Sequence, residues 1–115
     1  MPMLRVFTNA VVDKTFQQDF LKAASKVVAT ELRKPESYVT VALIPNTAML
    51  FGASDAPCAQ AYLLSLGGLD ASVNSKISNK LSKLFEKYLQ VPSDRYYIQF
   101  VDADGSFIGY DGETF

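Results

Sequence analysis

The chain of 115 residues carries 11 basic and 12 acidic side chains, a formal charge of −1 and 49% hydrophobic residues. That is the composition of a single globular domain spanning 1–115, not of a disordered segment, and it offers no basic excess to neutralise phosphates, so nucleic-acid binding is not expected. The lack of histidine and the single cysteine, Cys58, exclude Ser–His–Asp and Cys–His catalysis, His-ligated metals, intrachain disulfides and cysteine zinc clusters.

The first element is a strand over residues 3–8. No charged segment followed by an apolar stretch stands before it, so a secretory signal peptide is not expected. A proline at position 2 is small enough for removal of Met1, which would leave a secondary amine at Pro2. An α-amino group titrates near about 7.7–8.0, and burial or a nearby cation lowers that, so such an amine can act as a base in a chain without histidine. By position alone Pro2 also suits the start of an edge strand, where a missing N–H costs little. With Met1 retained, its nitrogen is an amide and cannot be a base.

Phe16, Phe20, Ala24, Val27, Val28 and Leu32 follow helical spacing, with Thr15 and Gln18 as a capping box and Pro35 as the stop. Residues 38–44 predict a β-branched strand ended by Pro45-Asn46. A strand over about 59–66 ends at Gly67-Gly68. A second helix spans about 72–89, with Val73, Ile77, Leu81, Leu84 and Tyr88 on one face. Pro92 follows, then a strand over 96–101 and a glycine-bearing tail suited to turns and a short terminal strand. No apolar run reaches membrane-spanning length, so no membrane insertion is expected.

Leu32 to Val41 and Leu89 to Ile98 share the order leucine, proline, aromatic residue, β-branched ending, with Pro35 and Pro92 lying 57 positions apart. The same offset sets Val6 against Leu63 and Phe20 against Ile77. Two tandem β–α–β units therefore predict an α/β (α+β) fold: a four-stranded mixed sheet with two helices on one face and short extra strands. The strands are apolar on both sides: Val39, Val41 and Leu43 oppose Tyr38, Ala42 and Ile44, and Tyr96, Ile98 and Phe100 oppose Tyr97 and Val101. Two helices cover one face, so the other is expected to pack on further copies of the chain.

In order and spacing, several short motifs resemble the macrophage migration inhibitory factor family of the tautomerase superfamily, with D-dopachrome tautomerase as a near relative. They are Met1-Pro2-Met3, Thr8-Asn9, Lys34-Pro35 with Ser37-Tyr38-Val39, Phe51-Gly52-Ala53-Ser54, Pro57-Cys58-Ala59, Ser65-Leu66-Gly67, Pro92-Ser93-Asp94-Arg95, Tyr97-Ile98 and Gly109 to Phe115. The resemblance spans essentially the whole chain. It implies a homotrimer and a keto–enol tautomerase acting on small phenylpyruvate- or dopachrome-like substrates without a cofactor. Pro2 would be the general base and Lys34 the cation for the substrate carboxylate. Leu66 would contribute its backbone N–H and Tyr97 would reach in from a neighbouring subunit to hydrogen-bond substrate, while Gln99 would contact substrate. Tyr38, Ile108, Tyr110 and Phe115 would form the apolar lining. Read without the resemblance, Lys34 is a helix C-terminal cation and Tyr97 a core or interface residue.

The resemblance also implies a cytokine-like role with a cell-surface receptor as partner, and a location in the cytoplasm, outside the cell by a non-classical route, or both. The alternative implied function is a secreted binding protein with a vestigial pocket. Three departures bear on these expectations. Gln99 stands where vertebrate members carry Asn, which puts substrate preference in question. Cys58-Ala59-Gln60-Ala61 lacks the second cysteine of their Cys-x-x-Cys, so dithiol chemistry is not expected. Asn46 replaces an Asp presented to a chemokine receptor, and the loop Val11-Val12-Asp13 has no Arg, which weakens receptor mimicry through those contacts.

Overall fold

A computed structural model describes residues 1–115. Strand β1 (Pro2–Thr8) leads to helix α1 (Lys14–Leu32), and a short 3-10 turn at Glu36–Tyr38 leads to β2 (Thr40–Ile44). Strand β3 (Ala59–Ser65), helix α2 (Ala71–Leu84) with a π-helical turn at Phe85–Leu89, and β4 (Tyr96–Asp102) repeat the plan. A 3-10 turn at Gly105–Phe107 and the strands β5 (Gly109–Tyr110) and β6 (Glu113–Thr114) close the chain.

The sheet order is β2-β1-β3-β4. Each unit pairs its own strands in parallel, and the two units join antiparallel through β1 and β3. The expected mixed sheet is thus present, with one correction to the position of Pro2. It opens an inner strand, not an edge strand; as the first residue of that strand it leaves no ladder bond unmade in the middle of the sheet.

Alternate residues of each strand face the helices. Leu4, Val6, Ala61 and Leu63 meet Phe20, Ala24, Val28, Ile77, Leu81 and Phe85 in one core. Val6 and Leu63, and Phe20 and Ile77, are fully buried, as the repeat requires. Burying each such side chain contributes about 1.5–3 kcal/mol. Cys58 is also fully buried, just ahead of β3. The opposite residues, Met3, Arg5 and Phe7, Ala42 and Ile44, Gln60, Tyr62 and Leu64, and Tyr97, Gln99 and Val101, lie on the face that no helix covers. That face is more polar than the strand pattern suggested, because Arg5, Gln60 and Gln99 stand on it, all exposed.

Two local expectations need correction. Helix α1 is capped by Asp13, not by a Thr15–Gln18 box: Phe16 N–H donates to Asp13 Oδ1 at 2.9 Å. A carboxylate at this place both satisfies an orphan N–H and faces the positive end of the helix dipole, so the helix starts earlier than Thr15 would set it. Nor does Pro35 end α1. Arg33 takes the left-handed conformation (φ 55°) after Leu32 and sends its N–H back to the last turn.

The second helix buries Ile77, Leu81, Phe85 and Leu89, with Leu84 and Tyr88 only half-buried. Steps of four residues drift around a helix of 3.6 residues per turn. The wider π turn over Phe85–Leu89 rotates less per residue and brings Phe85 and Leu89 back to the core side. No helix is long and apolar enough to cross a membrane.

Candidate active site

The parallel and antiparallel pairing sets the start of β1 beside the ends of β3 and β4. Pro2 pairs with Ser65, and Ser65 pairs with Asp102. The loop that follows α1 returns to this end of the sheet, because Arg33 reverses the chain and Lys34 N–H caps the carbonyl of Ala29 at 3.0 Å. The Lys34 side chain then crosses to β3. Its Nζ donates to the carbonyl of Leu66 at 2.6 Å and to Ser65 Oγ at 3.1 Å. Its role is therefore not confined to the dipole of α1.

A cavity of about 520 Å³ opens beside the chain start, lined by Met1, Met3, Tyr38, Thr40, Tyr110 and Phe115 among others. Pro2 is fully buried next to it. Tyr110 and Phe115 stack with ring centroids 5.5 Å apart. Phe115 N–H donates to the carbonyl of half-buried Ile108 at 3.2 Å, which ties the tail to this wall. Burial first, and the Lys34 ammonium second, hold the terminal amine of Met1 below its ordinary value of 8.0. Both causes act on the charged form: a drier surrounding solvates an ammonium less well, and a neighbouring cation repels it.

The fold thus gathers Pro2, Lys34, Leu66, Tyr38, Ile108 and Phe115 at one end of the sheet. Leu66 uses its carbonyl there, toward Lys34. Tyr97 and Gln99 are not brought to this end. Tyr97 pairs with Gln60, five residues along β3 from Ser65, which is about 17 Å at strand spacing. It is 73% exposed and rests on Phe51 with ring centroids 5.0 Å apart, so it is not a core residue. Gln99 pairs with Tyr62 and is exposed. Both belong to the face that the helices leave open.

Ser65 carries no role of its own in the Ser65-Leu66-Gly67 motif, although it is fully buried and touches Lys34 directly. Its signal is a serine in step with Ala59, Ala61 and Leu63 at the end of β3, just before Gly67-Gly68. Met1, Met3 and Thr40 also entered the lining unannounced. Nowhere do three His, Cys, Asp or Glu side chains converge as a metal ion would need.

Comparison with known proteins bears on the family and the fold. Residues 1–115 match the family described as macrophage migration inhibitory factor. A macrophage migration inhibitory factor homolog of Trichuris trichiura is 44% identical over 115 residues, covering 100% of both chains. The homolog of Brugia malayi is 42% identical, covering 100% of this chain and 99% of its own. Among solved structures, macrophage migration inhibitory factor of Toxoplasma gondii superposes with a TM-score of 0.94 at 37% identity, covering 98% of this chain and 99% of that one. With its β–α–β halves, its sheet order and its full-length likeness to these proteins, the chain belongs to the macrophage migration inhibitory factor family.

Proposed function

We propose that the chain is a keto–enol tautomerase of phenylpyruvate- or dopachrome-like compounds, with Pro2 as its general base once Met1 is removed. The observation that carries this reading is the environment of the chain start. The Met1 amine is held below its ordinary value by burial and by Lys34, beside a cavity with aromatic walls, and the Pro2 nitrogen freed by removal of Met1 would meet the same two influences. A base works best when its pKa lies near the operating pH, and this chain has no histidine to serve instead.

Met1 itself lines the cavity, so its removal opens that space to the Pro2 nitrogen. The neutral amine takes a proton from the carbon beside the substrate carbonyl, and the C–H electron pair moves to form the enolate. The resulting prolinium returns the same proton to the enolate oxygen; the reverse sequence gives back the ketone. Nothing is oxidised or reduced, so no cofactor is required. A lysine ammonium has three N–H donors, and Ser65 and Leu66 engage two of them. The third remains for the substrate carboxylate, a charge-assisted contact. Tyr38, Tyr110 and Phe115 offer their rings to the apolar part of the substrate, with Ile108 behind Phe115.

The assembly that goes with this reading is a homotrimer. The open sheet face would pack on neighbours, and Tyr97 and Gln99, remote from Pro2 in their own subunit, would complete an adjoining site. The test joins intact mass to turnover. Protein without Met1 should convert phenylpyruvate, followed by ultraviolet absorption. Protein retaining Met1 should not, and Pro2→Gly should lose about 100-fold or more, the range expected of a general base. Equal activity with and without Met1 would overturn the proline base.

The descriptions of the family and of the Trichuris trichiura and Brugia malayi relatives favour a second, cytokine-like role outside the cell through a surface receptor. Labelled protein should then bind macrophages saturably. Binding that unlabelled protein does not compete away would remove this reading and leave the enzyme alone.

A further inference from the structure

Lys34 reaches the site on a flexible four-carbon stem, and two oxygens hold its end. Leu66 supplies a backbone carbonyl, which any residue at that position would bring. Ser65 supplies a side-chain hydroxyl, which is a choice of the sequence. Ser65 is fully buried, and a buried hydroxyl needs both its proton and its lone pairs satisfied. The direction of its proton follows from its two neighbours. A lysine ammonium can only donate and a carbonyl can only accept, so Ser65 Oγ accepts from Lys34 Nζ at 3.1 Å and donates to the carbonyl of Gly67 at 2.7 Å.

Gly67 is itself held. Its N–H donates to Asp102 Oδ1 at 3.2 Å, and Ala103 N–H donates to the carbonyl of Ser65 at 2.9 Å. The chain of contacts therefore runs from the end of β4 through Gly67 and Ser65 to the ammonium. It places that ammonium beside Pro2, the residue that Ser65 faces across the sheet.

We propose that Ser65 is a positioning residue: it fixes Lys34 for a substrate carboxylate, and by doing so it sets a preference for carboxylate-bearing carbonyl compounds over their neutral counterparts. This rests on the tautomerase reading. A lone tether at Leu66 leaves the ammonium free to swing about one contact. Two tethers hold it in place before substrate arrives, so less side-chain freedom is lost on binding.

The experiment compares phenylpyruvate with its methyl ester, using protein freed of Met1. Ser65→Ala should lower the acid-to-ester ratio of kcat/KM about three- to tenfold, the effect of immobilising one long side chain on binding, and should do so mainly through KM for the acid. Ser65→Cys keeps the size but is a weak acceptor, so it should lower the ratio in the same direction. It serves if the alanine variant folds poorly. In a Lys34→Ala background the ratio is already low, and adding Ser65→Ala should not lower it further. Equal losses on acid and ester, or an additional loss in the Lys34→Ala background, would overturn the proposal and leave Ser65 a structural residue.

Calorimetric binding of phenylacetate, which undergoes no turnover, separates this outcome from failure of the tautomerase reading. Suppose the unsubstituted protein turns over neither compound. An affinity for phenylacetate about three- to tenfold weaker in Ser65→Ala would still support the positioning role, and an unchanged affinity would overturn it.

Discussion

A Cβ placed on Gly105 would meet the carbonyl oxygen of Phe115 at 2.9 Å and its Cβ at 3.1 Å. The turn over Gly105–Phe107 and the last residue of the chain are therefore in direct contact, with room only for a hydrogen between them. Phe115 in turn stacks on Tyr110, and both line the cavity beside Pro2. A glycine far from Pro2 in sequence thus sets where one wall of this cavity stands.

Gly105→Ala should push Phe115 away from that wall. The backbone at Gly105 needs no left-handed conformation, so the effect is purely steric. Because Phe115 is half exposed and lies at the end of the chain, it can yield, and stability should change by less than about 1 kcal/mol. KM for phenylpyruvate should rise about three- to tenfold, with kcat changed less. Steady-state kinetics check this; an unaltered KM would mean that Phe115 does not touch substrate.

The terminal amine gives a pH prediction of definite sign. On Met1 the charged form is disfavoured by burial and by Lys34, which hold that amine below its ordinary value; the same two causes should act on the Pro2 amine once Met1 is removed. If Pro2 is the base, its neutral amine is the active form, and kcat/KM should rise with pH along a limb below the ordinary range of an α-amino group. Lys34→Ala removes one of the two causes and should move the limb upward, while raising KM for the acid substrate about tenfold. The linked effect on stability has the same direction. Between the lowered pKa and the ordinary one the unfolded chain binds more protons, so stability rises with pH through that window. A rate profile flat from pH 5 to 9 would contradict the assignment.

Much of the fold is legible in the sequence. The 57-residue offset between Pro35 and Pro92 announced two like units, and their cores repeat at Val6 and Leu63 and at Phe20 and Ile77. Periodicity reports faces well because burial is a property of alternate or helical positions. It reports ends less well. Asp13 outcompeted Thr15 for the cap of α1, and the π turn altered which residues of the second helix point inward, since both depend on hydrogen bonds one or two residues wide. The role of Ser65 was hidden for another reason: its partner Lys34 lies 31 positions away and meets it only through tertiary structure.

Arg95 makes a prediction about the far end of the sheet. Its Nη2 donates to the carbonyls of Phe51, Ser54 and Ala56 at 3.1–3.3 Å, and its Nε to that of Pro57 at 3.0 Å. Its guanidinium also lies over the Phe51 ring, 5.3 Å from the centroid. One planar group thereby closes the loop before β3, which lysine, with a compact ammonium, cannot imitate. Arg95→Lys should cost about 1–3 kcal/mol in chemical denaturation. It should also speed proteolysis within residues 51–57. Cleavage as slow as in the unsubstituted chain would show that Asn9, which donates to the carbonyls of Asp55 and Ala56, holds the loop without help.

The last prediction concerns assembly. Tyr97 stands on the open sheet face, propped by Phe51 and largely exposed, while Pro2 pairs with the opposite end of β3. About 17 Å of strand separates the two levels, more than a tyrosine side chain can span. If Tyr97 contacts substrate, it does so in another subunit, and the open face must then be an interface between copies. Sedimentation at micromolar concentration should give the mass of three chains. Tyr97→Phe should leave that mass intact, since the ring remains, but should raise KM about three- to tenfold through loss of the hydroxyl contact. Tyr97→Arg should disturb packing as well, and activity should fall together with the trimer as the protein is diluted. The separating experiment mixes subunits. Pro2→Gly chains and Tyr97→Arg chains, each weak alone, should regain activity when co-assembled, because a sound proline from one and a sound tyrosine from the other can meet in the same site. A monomer that is fully active, or mixtures no better than their parts, would place Tyr97 outside the chemistry and return it to the surface.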